Sequence, residues 1–294
     1  MSDYKQSCII LDKPSGISSN KALAKVKSKI SQKKAGFSGT LDPLASGLLI
    51  IFLNKATKLC SYFLDADKSY EAIAKLGENS STGDLDGDII RTRDVPDLKK
   101  LDIKLLEEKY TGIIKQTPPM YSALKYKGIR LYKYAREGIN IDRELREIKI
   151  YSIKINIIDS HHLSIIIKCS KGTYIRTLVE QIGEEIGCGA LVSKLVRTGI
   201  SDISLSQSVS LDNFLSSSEK NICERYIING DLLLNKEDSC YLSENEKYQI
   251  LKGNKVKLEI KPCELVKIYD KNKQFLGIGK INEKLELLPK KILV

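Results

Sequence analysis

The sequence is poor in the residues that metal and nucleophile chemistry draw on. Its 294 residues include only two histidines, His161 and His162, which are adjacent and far from any cysteine. The seven cysteines (Cys8, Cys60, Cys169, Cys188, Cys223, Cys240 and Cys263) are odd in number, scattered, and form no CxxC. That argues against a disulfide framework and a zinc site, and most of the thiols are assigned to the core. No GxxxxGK[ST] loop and no GxGxxG after a strand is present, so nucleotide hydrolysis and hydride transfer lack support. A nucleophile elbow is missing too. The chemistry left to such a chain belongs to carboxylate, tyrosine and arginine, with no metal and no cofactor.

Long apolar runs are also lacking. The best, "LLIIFL" at 48–53 and "SIIIKC" at 164–169, have the length of strands and not of membrane spans. The opening "MSDYKQSCIILDKP" has only four apolar residues before Asp12 and Lys13, which is not a signal-peptide layout. The chain is expected to be soluble and cytoplasmic, with no membrane partner. An apolar fraction of 42% supports a real core, and the length suits two domains or one with an appendage. No internal repeat is evident.

Positive charge, by contrast, is plentiful and unevenly placed. Lysine and arginine number 48 against 37 acidic residues, a net of +11. Residues 1–60 hold ten lysines against Asp3, Asp12 and Asp42, or +7. Residues 115–136 hold Lys115, Lys125, Lys127, Arg130, Lys133 and Arg136, with Tyr121, Tyr126, Tyr132 and Tyr134 among them and no acid. Solvated lysine-rich faces account for scattered charge but less well for acid-free clusters. Those favour a polyanion, of which nucleic acid is the commonest in the cytosol.

Periodicity gives a coarse organisation. "CIIL" at 8–11 reads as a strand, followed by a turn-rich loop. Ser19 or Asn20 then caps a helix whose Ala22, Leu23, Val26 and Ile30 recur at helical spacing. Residues 48–53, 68–76, 146–157 and 163–169 read as strands. In "GTYIRTLVEQIGEEIG", Ile175, Leu178, Val179, Ile182 and Ile186 share a helix face. Residues 206–245 are rich in serine and asparagine, with a short helix or two. Beyond them "KVKLEI", "LVKIYD", "FLGIGKI" and "LELLPKKIL" alternate like the strands of a small β-domain. Asp84, Asp86 and Asp88 suggest a calcium loop, but Ile89 and Val95 stand where its glycine and glutamate belong. They are assigned to a turn.

One stretch poses a choice. "GFSGTLDPLASGLL" (36–49) carries a single charge, Asp42. An aspartate before proline is a standard helix start, with the acid as cap and Pro43 at the first helical position. Gly36, Gly39 and Gly47 point the other way, since glycines clear the backbone for a bulky ligand. From "LDP" alone the cap is the simpler reading.

The stretch resembles the catalytic segment of the tRNA pseudouridine-55 synthases, the TruB-type family, whose pattern is G-H-x-G-T-L-D-P-x-A-x-G-L-L. Four further stretches agree in order and spacing: "LDKPSGISSN" (11–20), "KSYEAIAKLGENSSTGDLDGD" (68–88), "QTPPMYSALKYKGIRLYKYAREG" (116–138) and "CSKGTYIRTLVEQIGEEIGCGALVSKLVRTGI" (169–200). The terminal "QFLGIGKI…LLPKKIL" resembles the family's small PUA-like RNA-binding domain. The resemblance implies an α+β fold with a mixed, mainly antiparallel sheet flanked by helices. It implies a catalytic domain over 1–235, with a basic tRNA-clamping insertion near 115–145, and a PUA-like domain over 240–294.

The implied activity converts uridine 55 of the tRNA T-loop to pseudouridine: the C1′–N1 bond breaks, the uracil turns over, and C5 bonds to C1′. Asp42 becomes the catalytic aspartate, either adding to C1′ or removing the C2′ proton. A carboxylate suits the positive charge developing at C1′, as in retaining glycosidases. Tyr70 matches the tyrosine that stacks on the base and accepts the C5 proton; Arg176 matches the arginine paired with the aspartate. Tyr174 and Leu195 match uracil-pocket positions, and Lys13 a basic residue near the catalytic loop. Lys125, Lys127, Arg130 and Lys133 are assigned to the clamp. The family has histidine where this chain has Phe37, a position implied to fill the space left by the flipped base. Expected partners are the tRNA T-arm alone, with a monomeric enzyme and no obligatory protein. The rival readings are a non-catalytic RNA-binding or tRNA-folding protein on the same scaffold, and a guide-RNA-dependent relative with protein partners.

Overall fold

The isoleucine- and leucine-rich runs become strands because each can bury a full face against helices or a second sheet. The computed structural model describes residues 4–234 and 237–294. Among these, an eleven-stranded sheet is the frame. Its main strands are β1 (Ser7–Lys13), β2 (Ala35–Phe37), β3 (Ser46–Leu53), β4 (Lys68–Leu76), β5 (Gly112–Gln116), β6 (Arg146–Ile157), β7 (His162–Cys169) and β8 (Ala190–Ile200). Seven of them run in the order β1-β3-β8-β4-β7-β6-β5, and β2 pairs with β3 off that path. Pairing is antiparallel except between β3 and β8 and between β1 and the short strand Val209–Ser210. The expected α+β fold with a mixed, mainly antiparallel sheet is therefore present.

Helices cover the sheet in two places. Helix α1 (Ser19–Lys29) packs Ala22 and Val26 on Ile9, Leu11, Leu49 and Ile51. Its cap is Ser18, whose hydroxyl accepts from the Lys21 N–H at 3.2 Å, and not Ser19 or Asn20 as the sequence suggests. Ser19 is already helical, and its hydroxyl is engaged elsewhere. Helix α2 (Ile103–Tyr110) and the short α3 (Leu131–Arg136) follow in the chain. Helix α4 (Ile175–Ile186) buries Ile175, Leu178, Val179 and Ile182 on β4, β7 and β8, together roughly 6–12 kcal/mol of gross apolar burial. It ends on Gly187, whose φ of 94° is the left-handed cap that glycine adopts without strain.

A second sheet is built from β9 (Asp238–Leu242), β10 (Val256–Lys257), β11 (Cys263–Asp270), β12 (Phe275–Ile281) and β13 (Glu286–Ile292), in the order β9-β11-β12-β13-β10. Two features here depart from expectation. "KVKLEI" gives only the two-residue β10, and the polar stretch before 245 contains β9. Helix α5 (Glu244–Leu251) opens on a reciprocal Ser243–Glu246 capping box, a signal that the sequence carries but that hydrophobic periodicity does not register. Leu265, Phe275 and Ile278 of this sheet, with Leu293 just past its last strand, share a core with Cys8, Leu48, Ile50 and Phe52 of the first. Four cysteines are buried and three partly so, all as free thiols. No described helix is long and apolar enough to cross a membrane.

Candidate active site and nucleic-acid interface

The segment joining β2 to β3 settles the choice about Asp42. Residues 41–45 form a bend with no helix, so Asp42 has nothing to cap. The bend is held by short contacts from the first loop of the chain. Ser19 accepts from the Leu41 N–H at 2.8 Å and donates to the Leu41 carbonyl at 3.0 Å. Gly16 N–H donates to the Pro43 carbonyl at 2.8 Å, and Ser15 Oγ to that of Leu44 at 2.7 Å. Leu41 and Ala45 are buried on either side, with Asp42 partly exposed between them. The bend closes at Gly47, where φ is 101° and a Cβ would lie 2.4 Å from the Arg197 carbonyl oxygen. Only glycine fits there.

Arg176 meets Asp42 from the first turn of α4. Its Nη2 lies 3.0 Å from Asp42 Oδ2, with the arginine side chain 6% exposed and the aspartate 39%. The remaining donors are also used. Nη1 donates to the Thr82 carbonyl at 2.5 Å, Nη2 to the Tyr121 carbonyl at 2.7 Å, and Asp84 Oδ2 stands 3.7 Å from Nη1. One guanidinium thus joins the Asp42 bend, the 77–88 turn and the start of the basic segment.

Sequence alone assigns Asp84 to a turn, and it does shape one by accepting from the Thr82 hydroxyl and the Asp86 N–H. Its carboxylate is nonetheless 5% exposed and aimed at Arg176. Backbone bonds from Val192 N–H to the Gly83 carbonyl (2.9 Å) and from Leu85 N–H to that of Val192 (3.2 Å) fix it. Burial raises the Asp42 carboxyl above its usual 3.8; Arg176 opposes this, and Asp84 and Asp86 add to it. One turn along α4, burial lifts Glu180 to about 7.

Tyr70, on β4, packs on the cluster that contains Leu41, Ala45, Ile175 and Leu195. Leu195, buried on β8, pairs with Ala72. Tyr174 immediately precedes α4, and no side chain caps that end. Instead the buried Gln116 brackets Tyr174, its Oε1 accepting from the Tyr174 N–H at 3.1 Å and its Nε2 donating to the carbonyl at 3.2 Å. Lys13 is fully buried and donates to the carbonyls of Pro14 and Ile17, at 2.8 and 2.7 Å, so it supports the loop beneath the bend. Burial lowers it to about 8. The structure thus brings together Asp42, Arg176, Tyr70, Leu195, Tyr174 and Lys13.

Phe37 is apart from this group. It ends β2 opposite Ile51 and packs, half-buried, on the α1 cluster. Among the described residues no hydrogen bond, ion pair or shared apolar cluster joins it to Asp42.

The basic segment is an excursion at the sheet edge. It leaves β5 after Gln116 and returns at Arg146 to β6, which pairs with β5. Its tip is a hairpin in which Lys125–Tyr126 pairs with Ile129–Arg130. Lys127 and Gly128 form the turn with φ of 47° and 82°, the two positive values that a type I′ turn needs. Lys125, Lys127, Arg130 and Lys133 are all exposed, and none enters an ion pair among the described residues. Lys127 lies 5.4 Å from the Tyr126 ring centroid, and Tyr126 meets Tyr134 edge-on at 6.2 Å. Unpaired cations beside half-exposed aromatic faces suit a phosphate backbone and unstacked bases.

The chain is similar to known proteins along most of its length. Residues 27–175 match the family model described as TruB family pseudouridylate synthase, N-terminal domain. Residues 176–229 match the tRNA pseudouridylate synthase B C-terminal domain, and 239–293 the pseudouridine synthase II TruB C-terminal one. The chain is 39% identical over 289 residues to the tRNA pseudouridine synthase B of Pseudomonas putida, covering 97% of this chain and 94% of that protein. With the protein of the same name from Buchnera aphidicola it shares 42% over 292 residues, covering 96% and 93%. A chain in the crystal structure of a Cbf5-Nop10-Gar1 complex superposes with a TM-score of 0.73 at 25% identity, over 99% of this chain and 86% of that one.

Proposed function

The chain belongs to the TruB family of pseudouridine synthases, and from that premise we propose that it isomerises uridine 55 in the T-loop of tRNA. The observation carrying this reading is the Asp42–Arg176 pair, at 3.0 Å on a bend that caps no helix. The guanidinium orients the carboxylate and favours its charged form. In that form Asp42 stabilises positive charge developing at C1′ as the C1′–N1 bond breaks. Tyr70 stacks on the freed uracil and takes the C5 proton once C5 has bonded to C1′. Tyr174 and Leu195 wall the base, while Lys13 stiffens the loop under the aspartate.

The target base must leave its stack, at a cost of a few kcal/mol. Contacts to the RNA backbone offset that cost, and Lys125, Lys127, Arg130 and Lys133 are their source on the T-arm. Phe37 acts in the flipping step, stacking without a hydrogen bond where the family has histidine. The 240–294 region assists as a small RNA-binding domain beside the 1–235 catalytic domain. The enzyme works in the cytoplasm as a monomer, without a protein partner.

The deciding assay is tritium release from an unmodified tRNA labelled at uridine C5, with wild type and Asp42→Asn in parallel. Release by wild type alone, abolished when position 55 is made cytidine, is the expected result. Tight tRNA binding with no release by either enzyme would leave an RNA-binding protein.

A further inference from the structure

Arg197 lies in β8, opposite Tyr70 of β4 and beside Gly47 of β3 in the sheet register. It is only 2% exposed, and among the described residues it forms no ion pair with a carboxylate. A guanidinium cannot shed its proton, so this is a permanent cation in the protein interior. Such a charge is tolerated only where hydrogen-bond acceptors replace water. Two are in place. Nε–H donates to the Leu48 carbonyl at 2.8 Å and Nη2–H to the Gly39 carbonyl at 3.1 Å. Tyr70 stands directly opposite in the sheet register, and its phenol feels the guanidinium's charge.

The two carbonyls flank the bend that carries Asp42. One side chain therefore clasps both ends of that segment and sets its charge beside the tyrosine across the sheet. Its surroundings reinforce its sign. Lys68 donates to the carbonyls of Phe63, Leu64 and Ala66, and both Lys68 and Lys13 are lowered to about 8, by burial first and by the Arg197 charge next. The floor of the site is thus built from three caged cations.

We propose that Arg197 is a positioning residue for the isomerisation: it closes the Gly39–Leu48 segment around Asp42 and, from its place across the sheet from Tyr70, steadies negative charge on the tyrosine oxygen. This rests on the reading of Asp42 and Tyr70 given above. In the final step the C5–H bond breaks and its proton passes to the Tyr70 oxygen. The C–H electron pair becomes the C5=C6 bond, and the C6=N1 π pair moves onto N1, which takes a proton from water. The tyrosine must enter that step as phenolate, whereas burial raises its phenol above the usual 10; the Arg197 charge is the main influence opposing that rise.

The test compares Arg197→Gln and Arg197→Lys with wild type, all full-length, with folding checked by thermal melting and tRNA affinity measured separately. Ring-fluorinated tyrosine brings the phenol titration into an accessible pH range, and the fluorine resonance lost in Tyr70→Phe identifies Tyr70. In Arg197→Gln the Tyr70 ionisation should move up by about one pH unit or more, a tenfold change in its equilibrium. Single-turnover tritium release should fall about 100-fold with tRNA affinity held within about twofold, as expected for lost positioning. Arg197→Lys should keep the titration near wild type yet lose rate, because an ammonium lacks the planar fork.

An unmoved Tyr70 resonance in Arg197→Gln, or a full rate in Arg197→Lys, overturns the proposal. So does a rate loss matched by an equal loss of tRNA binding. If the glutamine variant does not fold, the lysine variant alone decides. The titration needs no RNA, so a wild type that releases no tritium would sink the isomerase reading while the influence of Arg197 on Tyr70 is still measured.

Discussion

Replacing Asp84 by asparagine tests the site where its charges are most tightly coupled. Asp84 Oδ2 lies 3.7 Å from Arg176 Nη1, with both side chains nearly buried. At an effective dielectric near 20, that separation corresponds to roughly 4–5 kcal/mol of attraction. The net loss is smaller for two reasons. Asparagine keeps an oxygen to accept from Thr82 and the Asp86 N–H, and Arg176 retains Asp42 as a counter-charge. A cost of about 1–3 kcal/mol remains, or roughly 5- to 150-fold if it falls on the transition state.

The pH dependence gives a sharper signature. Asp42 is raised above 3.8 chiefly by burial, and Asp84 is one of the charges raising it further. Its carboxylate form, the one the proposed reaction uses, is lost as pH falls through that raised value. Deleting the Asp84 charge lowers the value, so Asp84→Asn should be slower at neutral pH yet hold its remaining rate to lower pH. Single-turnover tritium release across acid pH reads both effects. A rate within twofold of wild type and an unmoved acid limb would refute the electrostatic reasoning, leaving Asp84 as a turn residue.

Other perturbations bear on neighbouring parts. Changing Lys125, Lys127, Arg130 and Lys133 together to alanine should flatten the log affinity against log salt slope by up to about 3–4, at roughly 0.7–0.9 for each phosphate no longer neutralised; an unchanged slope places the RNA elsewhere. Glu180 is raised from 4.5 to about 7, so the native state keeps a proton there that the unfolded chain has released. That penalty is absent below about pH 4.5 and complete above about pH 7. Glu180→Gln should therefore stabilise the fold by about 1–2 kcal/mol at pH 8 and not at pH 4, as urea titration would show. Phe37→His puts a polar ring on the α1 cluster and should cost about 1 kcal/mol of stability while changing turnover. Turnover and tRNA affinity equal to wild type would strip the substitution of functional meaning.

The sequence is legible wherever a residue's role follows from its immediate neighbours. Strand β4 ends where alternation ends, and α4 shows its buried stripe directly. The Lys127–Gly128 turn lies within the acid-free cluster. Asp84 and Arg197 escape such reading because their roles depend on register. Nothing near "LVRTGI" says that β8 lies between β3 and β4, which sets Arg197 beside both Gly47 and Tyr70. Nothing in "GDLDGD" says that residue 84 bridges to Val192 and so turns inward. The cap reading of Asp42 fails for a similar reason. Whether Pro43 starts a helix depends on the backbone contacts made by Ser15, Gly16 and Ser19, more than twenty residues earlier.

The bond from Arg176 to the Tyr121 carbonyl has a mechanical consequence. The basic excursion and the Asp42 carboxylate share one rigid donor, so holding either still lowers the entropy cost of ordering the other. Linkage of this kind is reciprocal. RNA that immobilises the excursion should tighten the Asp42–Arg176 pair, and an enzyme lacking the Asp42 carboxylate should show faster hydrogen exchange around Tyr121 before any RNA is added. Equal exchange in Asp42→Ala and wild type would mean the two ends move independently. In a molecule built this way, correct engagement of the substrate acts as the latch that readies the chemistry.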